Sequence, residues 1–129
     1  MSVYDGNNRM TTRELAGTGL STFMYSRTYT ANGHYNVVSE YSDLIGTNKV
    51  GETDYTWNGS GDLTTVTFKN GTGTVLQQAT YTFDAAHRAT AENLNGTNTS
   101  YSYDATNQLT AAGASNYSYD SNGNRNMSG

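Results

Sequence analysis

Few residues of this chain have the side chains that catalysis requires. His34 and His87 are its two histidines, and each lies among small polar residues that are typical of turns. Neither is accompanied by a serine and an acidic residue in a pattern that indicates a nucleophile with its base. Both are interpreted as polar residues beside turns, and we predict that the chain has no catalytic residue and is not an enzyme.

A possible metal site is the segment Asp120-Ser121-Asn122-Gly123-Asn124. Its oxygen-bearing side chains alternate as they do in the first half of a calcium-binding loop. The acidic residue that closes an EF-hand loop is missing, however. A turn is therefore the preferred interpretation, and we predict neither a metal ion nor any other cofactor.

Residues 46–53 superficially resemble a phosphate-binding loop, because they combine two glycines with a lysine. The second glycine is not followed by the Lys-Ser or Lys-Thr pair that such loops use to hold phosphate. A connection within a hairpin explains the same residues. We therefore prefer that interpretation.

Charge and composition exclude several other functions. The formal net charge is −4, and seven lysines and arginines are spread along the chain without forming a basic stripe, which argues against a nucleic-acid partner. No apolar run is long enough to span a bilayer, and the start of the chain does not resemble a signal peptide. Cysteine is absent, so neither disulfides nor thiolate metal sites can stabilise the fold.

The informative feature is an internal repeat of aromatic residues. Four segments have the order aromatic, any residue, aromatic, then Asp or Asn, and two looser copies lie near the start of the chain. We call the second aromatic of each segment, and the tyrosine at the same place in the looser copies, its anchor. The anchors are Tyr4, Tyr29, Trp57, Phe83, Tyr103 and Tyr119. Aromatics two residues apart on a strand share one face, while the residue between them points to the other face.

The residues after each anchor predict a turn and a second strand. Asp, Asn and Gly follow the anchors because they tolerate positive φ and bond nearby backbone. Asn-Gly steps, which favour tight hairpin turns, occur at the following residues: Asn32, Asn58, Asn70, Asn95 and Asn122. Each unit is thus a strand, a tight turn and a strand, as in residues 57–68. We predict an all-β fold, a twisted antiparallel sheet of successive β-hairpins with almost no helix, in a single domain over residues 1–129.

Tyrosine is predicted to provide the packing in this sheet. Gly, Asn, Ser and Thr make up almost half of the chain and large aliphatic residues are scarce, so a thick aliphatic core cannot form. The chain has 11 Tyr, 3 Phe and 1 Trp, which can cover a sheet face while their polar atoms stay in water.

The repeat resembles the YD repeat of RHS and teneurin-like proteins and of the B and C components of bacterial Tc toxins. Units starting at Tyr4, Phe83, Tyr103 and Tyr119 keep the order aromatic, Asp, a short polar stretch, then usually Arg. In the third of them, Gln108 stands in place of Arg. The resemblance covers residues 2–126.

Two units depart from the YD pattern. Trp57-Asn58 replaces the Tyr-Asp pair, with Asp62 where Arg is usual, and Tyr29-Thr30 lacks the acid. The residues that we assign to the structural repeat motif are the following: Tyr4, Asp5, Arg9, Trp57, Phe83, Asp84, Arg88, Tyr103, Asp104, Tyr119, Asp120 and Arg125.

The motif arginines have two interpretations. Arg9, Arg88 and Arg125 follow the turns of three units and can form a ladder with neighbouring carboxylates, namely those of Asp5, Asp84 and Asp120. Alternatively they are solvated surface charges, whose ion pairs contribute between about zero and 1 kcal/mol each. The sequence leaves both interpretations open.

The resemblance implies a structural role. Long arrays of YD repeats form a spiralling β-shell that encloses a cargo domain in the bacterial toxins, so the chain is expected to be a segment of such a shell in a longer, secreted or surface-exposed bacterial protein. Its partner is then the rest of the repeat array. Self-cleavage is not expected, because the Asp-Pro step of resembling shells is missing from a chain without proline.

The alternative function is a glycan-binding or adhesion module. Exposed tyrosines and Trp57 would then stack on sugars, whereas shell packing would bury these rings. The strand edges provide a further expectation. Neither end of the sheet has a proline or a lysine cluster that would discourage pairing, so we expect self-association through strands near Tyr4 or near Tyr117 and Tyr119.

Overall fold

The computed structural model describes residues 1–126, which form β-strands connected by turns. The strands are β1 (Ser2–Tyr4), β2 (Met10–Leu15), β3 (Phe23–Tyr29), β4 (Tyr35–Tyr41), β5 (Lys49–Trp57), β6 (Leu63–Asn70), β7 (Val75–Phe83), β8 (Ala89–Leu94), β9 (Thr97–Tyr103), β10 (Leu109–Ala112) and β11 (Ser115–Asn116). Within residues 1–126 there is no helix, and hence none that is long and apolar enough to cross a membrane.

The chain divides into two compact units, Met1–Gln78 and Ala79–Gly129, and the division falls inside β7. In the first unit, β1 to β6 pair antiparallel in chain order. In the second unit, the end of β7 and β8 to β11 do the same. The predicted fold class, a twisted antiparallel sheet of successive β-hairpins, is confirmed. The single domain over residues 1–129 stays a prediction, and residues 127–129 lie outside the described part.

Burial alternates along the aromatic segments. Tyr101 and Tyr103 are half-buried and Ser102 between them is exposed. The same alternation occurs at Tyr55 to Trp57 and at Tyr81 to Phe83. The paired rings therefore share one face of the sheet, where they shield one another from water.

The protein has almost no closed core. Met24 and Ala79 are the buried apolar residues, and Ser39 and Thr67 are buried polar ones. No side chain of residues 1–126 is completely buried. Aromatic contacts take the place of a core, as at Tyr35, whose ring centroid lies 5.3 Å from that of Tyr29 and 6.1 Å from that of Tyr55. Packing is therefore distributed over the sheet rather than concentrated.

A network of partly buried charges joins β4, β5 and β6. Ser39, Glu52 and Lys69 lie opposite one another in register. Glu52 accepts hydrogen bonds from Lys49 at 2.8 Å, Lys69 at 3.4 Å and Ser39 at 3.2 Å, and Lys69 also pairs with Asp54. The hydrogen bond from Lys49 is the main cause that lowers the pKa of Glu52. Because every charge has a partner, the network favours one register of these strands.

In the glycine-containing loop between β4 and β5, the N–H groups of residues 46–48 already have a partner within the loop. The carboxylate of Asp43 accepts hydrogen bonds from the backbone N–H of Gly46 at 2.8 Å, Thr47 at 3.1 Å and Asn48 at 2.7 Å. Residues 49–53 belong to β5. The segment is thus a hairpin connection that is closed by its own acidic residue.

Candidate functional site

The repeated feature of the structure is a five-residue turn, whose residues we number position 1 to position 5. The N–H of position 1 donates to the C=O of position 5, and the N–H of position 4 donates to the C=O of position 1. Within residues 1–126 the segments with this geometry are 5–9, 30–34, 58–62, 70–74, 84–88, 104–108 and 120–124. Six of them directly follow the six anchors. The turn at 70–74 follows Lys69 and was missed as a unit, because no aromatic residue precedes it.

Position 4 has a positive φ in all of these turns, between 60° and 88°. Glycine occupies it in four turns, asparagine in two, and His87 in the turn at 84–88. Glycine and asparagine adopt this left-handed backbone most readily, and the geometry is that of a type I turn followed by a β-bulge. His87 is thus a turn residue, as the sequence indicated.

The Asn-Gly steps mark turns in different ways. In two turns the glycine of the step is position 4, as at Gly33, and in two the asparagine is position 1, as at Asn58. Asn95 and Gly96 instead form a two-residue hairpin loop between β8 and β9, with φ of 50° and 91°. Two consecutive positive φ values are characteristic of a type I′ turn.

The position 1 side chain closes the turn. In the turn at 84–88, one carboxylate oxygen of Asp84 accepts the N–H of Ala86 at 2.9 Å and of Arg88 at 3.0 Å. The side chains at position 1 of five other turns accept the same two bonds from the N–H groups of positions 3 and 5, namely Asp5, Asn58, Asn70, Asp104 and Asp120. Thr30 makes one such bond, from the N–H of His34 at 3.2 Å. The Asp of the YD pair is therefore the residue that orders the backbone of the turn.

The second oxygen of position 1 binds the side chain of position 5. Asp84 receives Arg88 through Nε at 2.8 Å and Nη2 at 2.7 Å, and Asp5 receives Arg9 with the same distances. In each pair one carboxylate oxygen accepts both nitrogens in a charge-assisted contact, while the other oxygen holds the backbone. Arg9 and Arg88 therefore form ion pairs with the carboxylates of Asp5 and Asp84, as the first interpretation expects. Each pair lies within a single turn.

The departures in the turn at 58–62 compensate each other. Asn58 replaces the acid at position 1 and Asp62 replaces the arginine at position 5. The Asn58 amide donates to the Asp62 carboxylate at 2.8 Å. The same bond is kept, therefore, with donor and acceptor exchanged.

Position 5 also contacts the anchor of the next unit. The Arg9 guanidinium lies 4.6 Å from the ring centroid of Tyr29, and that of Arg88 lies 4.9 Å from the ring centroid of Tyr103. His34 stacks on Trp57, with ring centroids 4.4 Å apart and planes at 24°. Cations over aromatic faces are attracted to the ring electrons, by about 0.5 to 1 kcal/mol at exposed sites.

Four of the five polar anchor rings donate a hydrogen bond to the residue that follows position 5 of the preceding turn. The bonds are Tyr29 hydroxyl to Met10 C=O at 2.7 Å, Trp57 Nε1 to Tyr35 C=O at 2.7 Å, Tyr103 hydroxyl to Ala89 C=O at 2.9 Å and Tyr119 hydroxyl to Leu109 C=O at 2.9 Å. We call the contacts of an anchor with the preceding turn a junction. The junctions join consecutive units side by side, and sequence reasoning did not predict them.

Three motif residues have other surroundings. The Arg125 guanidinium lies 5.1 Å from the ring centroid of Tyr117, while Asp120 receives the Asn124 amide at 3.0 Å. Phe83 has no polar hydrogen to donate. Asp120 binds N–H donors with both oxygens, so the predicted turn, and not a calcium loop, describes this segment.

The described residues contain no cluster of three or more His, Cys, Asp or Glu that could hold a metal ion. Neither histidine belongs to such a cluster. His34 stacks on Trp57, and His87 occupies position 4 of the turn at 84–88. The arrangement can order backbone and join strands, and this is the chemistry that it supports.

We predict that the protein loses stability in acid. Hydrogen bonds lower the pKa of the position 1 aspartates, mainly from the Arg9 N–H to Asp5 and from the Arg88 side chain to Asp84. A lowered folded pKa contributes stability that is fully present above the unfolded value, about 3.9, and is lost as pH falls through the folded value. The urea midpoint should therefore be constant near neutral pH and fall below about pH 4.

Asp84→Asn is the matched variant for this prediction. Asn58 and Asn70 show that an amide oxygen at position 1 accepts the same two N–H groups. The amide does not titrate, so the variant should depend less on pH between about 4 and 2. Identical urea midpoints at about pH 6 and pH 3 for the original chain would show that the ionised carboxylates do not contribute to stability.

Comparison with known protein families identifies a match over almost the whole chain. The model of a family described as teneurin YD-shell matches residues 1–125. No curated protein matches the chain.

Proposed function

This chain belongs to the teneurin YD-shell family, and on that premise we propose that it forms part of a shell wall that encloses or displays a cargo or toxin domain in a longer parent protein. A structural repeat role follows from the family itself, and the all-β fold agrees with it. The presence of a cargo domain and its enclosure by this segment are what we propose beyond that role.

The observation that carries the proposal is the set of junctions. A wall one sheet thick has no second layer against which to bury a core, so its strands must be held by contacts along the sheet. The described residues have very few buried side chains, and their anchors bind the preceding turn through a ring face and a polar hydrogen. This distribution of contacts suits a wall better than a compact binding domain.

We propose further that the segment is not an enzyme and that it acts at the cell surface or after secretion. Its partner would be the rest of the repeat array. These proposals are supported by the family match and by the use of the polar motif residues to order the turns.

The glycan-binding alternative has less support than the shell. One face of the Trp57 ring is stacked on His34, and its Nε1 is bonded to Tyr35 C=O. Sugar stacking on that face would require the contact with His34 to open. If His34→Ala greatly increases acrylamide quenching of Trp57 fluorescence, His34 covers the ring. Strong binding of the original chain on a glycan array would instead favour the alternative.

Electron cryo-microscopy of the parent protein tests the proposal. We expect residues 1–125 to lie in a continuous β-sheet wall with additional density enclosed by it. A segment that projects from the particle as a separate module, with no enclosed volume beside it, would overturn the proposal.

We also propose that residues 1–129 fold as one domain, because β7 contains residues of both compact units. Urea unfolding followed by tyrosine and by tryptophan fluorescence should then give a single, coincident transition. Two separate transitions would indicate that Met1–Gln78 and Ala79–Gly129 unfold independently.

A further inference from the structure

Tyr4 lacks the contacts that the other tyrosine anchors make. It precedes the turn at 5–9 as Tyr103 precedes the turn at 104–108. Yet Tyr4 is 56% exposed, and within residues 1–126 its hydroxyl has no hydrogen-bond partner. β1 is exposed along its whole length and pairs only with β2, so one edge of it is free. Tyr4 is thus an anchor without a preceding turn.

We propose that β1 and Tyr4 form the receiving half of a junction, and that its occupant is a further repeat of this same class whose turn has arginine at position 5. This inference rests on the proposed function, since the occupant would be a preceding repeat of the parent array. The added strand pairs with β1, the arginine covers the Tyr4 ring, and the carbonyl after the arginine accepts the Tyr4 hydroxyl.

The turn after Tyr4 has a side chain that can accept a hydrogen bond from an arginine partner. At the junction of Tyr103, Arg88 Nη1 donates to the Asn107 side chain at 2.8 Å, and Asn107 is position 4 of the next turn. The turn after Tyr4 has Asn8 at the same position, also with positive φ. At the junction of Tyr29 the partner is also an arginine, Arg9, although position 4 of the next turn is Gly33, so an arginine there does not require a side-chain acceptor. Asn8 nevertheless gives the turn after Tyr4 the same side-chain acceptor that Arg88 uses.

The backbone of the turn at 5–9 offers a second acceptor. Arg88 Nη1 lies 3.4 Å from the C=O of Asp104, and Arg9 Nη1 lies 3.4 Å from the C=O of Thr30. Both acceptors are position 1 of the following turn. The equivalent atom beside Tyr4 is the C=O of Asp5, which accepts the N–H of Asn8 and has a second lone pair available.

The test extends the chain with its own repeat. A copy of residues 79–99 is fused directly before Met1, which places the copied Arg88 at the same distance in sequence from Tyr4 as Arg88 has from Tyr103. A second extension copies residues 1–25, which places the copied Arg9 relative to Tyr4 as Arg9 is placed relative to Tyr29. The free energy of unfolding is measured in urea for the original and the extended chains, each with and without Tyr4→Phe.

We expect Tyr4→Phe to change the unfolding equilibrium constant by less than about twofold in the original chain and by roughly fivefold in an extended one. Arg→Ala at position 5 of the copied turn should remove much of that difference. The Tyr4 amide, which the register directs away from β2, should become protected from hydrogen exchange in the extended chain only. If neither extension increases the effect of Tyr4→Phe or protects the Tyr4 amide, whether or not the added residues fold, the inference is wrong.

The two proposals fail in different ways. A shell wall seen in the parent protein together with negative extension experiments would leave the structural function intact and assign β1 to another contact. Positive extension experiments with no shell in the parent would show a repeat junction that serves another architecture.

Discussion

Replacing Tyr103 with alanine is expected to lower the free energy of unfolding by about 3 kcal/mol. The substitution removes a half-buried ring, the surface on which the Arg88 guanidinium lies at 4.9 Å, and the hydroxyl that donates to Ala89 C=O at 2.9 Å. Large-to-small changes at packed positions lose both the transfer free energy and the contacts of the neighbours. Urea titration followed by fluorescence measures the loss.

Ser102→Ala is the matched control for Tyr103→Ala. Ser102 lies in the same strand with its side chain on the exposed face, so its replacement should change stability by less than about 0.5 kcal/mol. Tyr103→Phe keeps the ring and isolates the hydroxyl, which should contribute about 1 kcal/mol. Equal losses for Tyr103→Ala and Ser102→Ala would show that the aromatic face does not hold the sheet.

Gly71→Ala is expected to have the second large effect, about 1 to 3 kcal/mol of destabilisation or more. A Cβ on Gly71 would lie 2.0 Å from the carbonyl oxygen of Lys49 and 3.1 Å from the Cα of Val50. These are backbone atoms, so no side-chain rotation can relieve the clash. The turn at 70–74 or the start of β5 must move instead.

The control for Gly71→Ala is Gly59→Ala, at the same position 2 of the turn at 58–62. Nothing lies within 4 Å of a Cβ at Gly59, and position 2 is alanine in the turns at 84–88 and 104–108. A compatible Gly→Ala change often stabilises, by about 0.4 to 1 kcal/mol, because it restricts the unfolded chain. If Gly71→Ala and Gly59→Ala had the same free energy of unfolding, the close approach of the Lys49 backbone to Gly71 would not limit the residue at that position.

The sequence was sufficient for the strands and for six of the turns, because their signals are local. Two aromatics separated by one residue define a strand face, and the Asp or Asn after them begins the turn. The turn at 70–74 was indicated by its Asn-Gly step but not recognised as a unit of the repeat, because Lys69 precedes it. A search for Asn followed three residues later by Gly would have grouped it with other turns, since these residues occupy positions 1 and 4.

The junctions could not be predicted from the sequence, because they join residues of different units. The separation between anchors is irregular, so no fixed spacing links Arg9 to Tyr29 and Arg88 to Tyr103. In the sequence, Asn58 and Asp62 were likewise two separate departures from the pattern. Only the structure shows that they bond to each other with donor and acceptor exchanged. Both features depend on pairing register, which the structure supplies.

The same geometry explains why one repeat position tolerates several residue types. Position 5 is Arg9 in one junction and His34 in another, and each has a flat group that lies on the next anchor ring. We infer that the shape of the group, in addition to its charge, is what the junction requires.

If the junctions hold the sheet together, the two partners of a junction must stabilise the protein cooperatively. A double-mutant cycle on Arg88 and Tyr103 tests this most directly. Arg88→Ala, Tyr103→Leu and the double variant are compared with the original chain by urea unfolding. Since the guanidinium lies over the Tyr103 ring, we expect a coupling energy of about 0.5 to 1 kcal/mol in favour of the original pair. Losses that add to within about 0.3 kcal/mol would contradict the claim, because the two residues would then stabilise the protein independently.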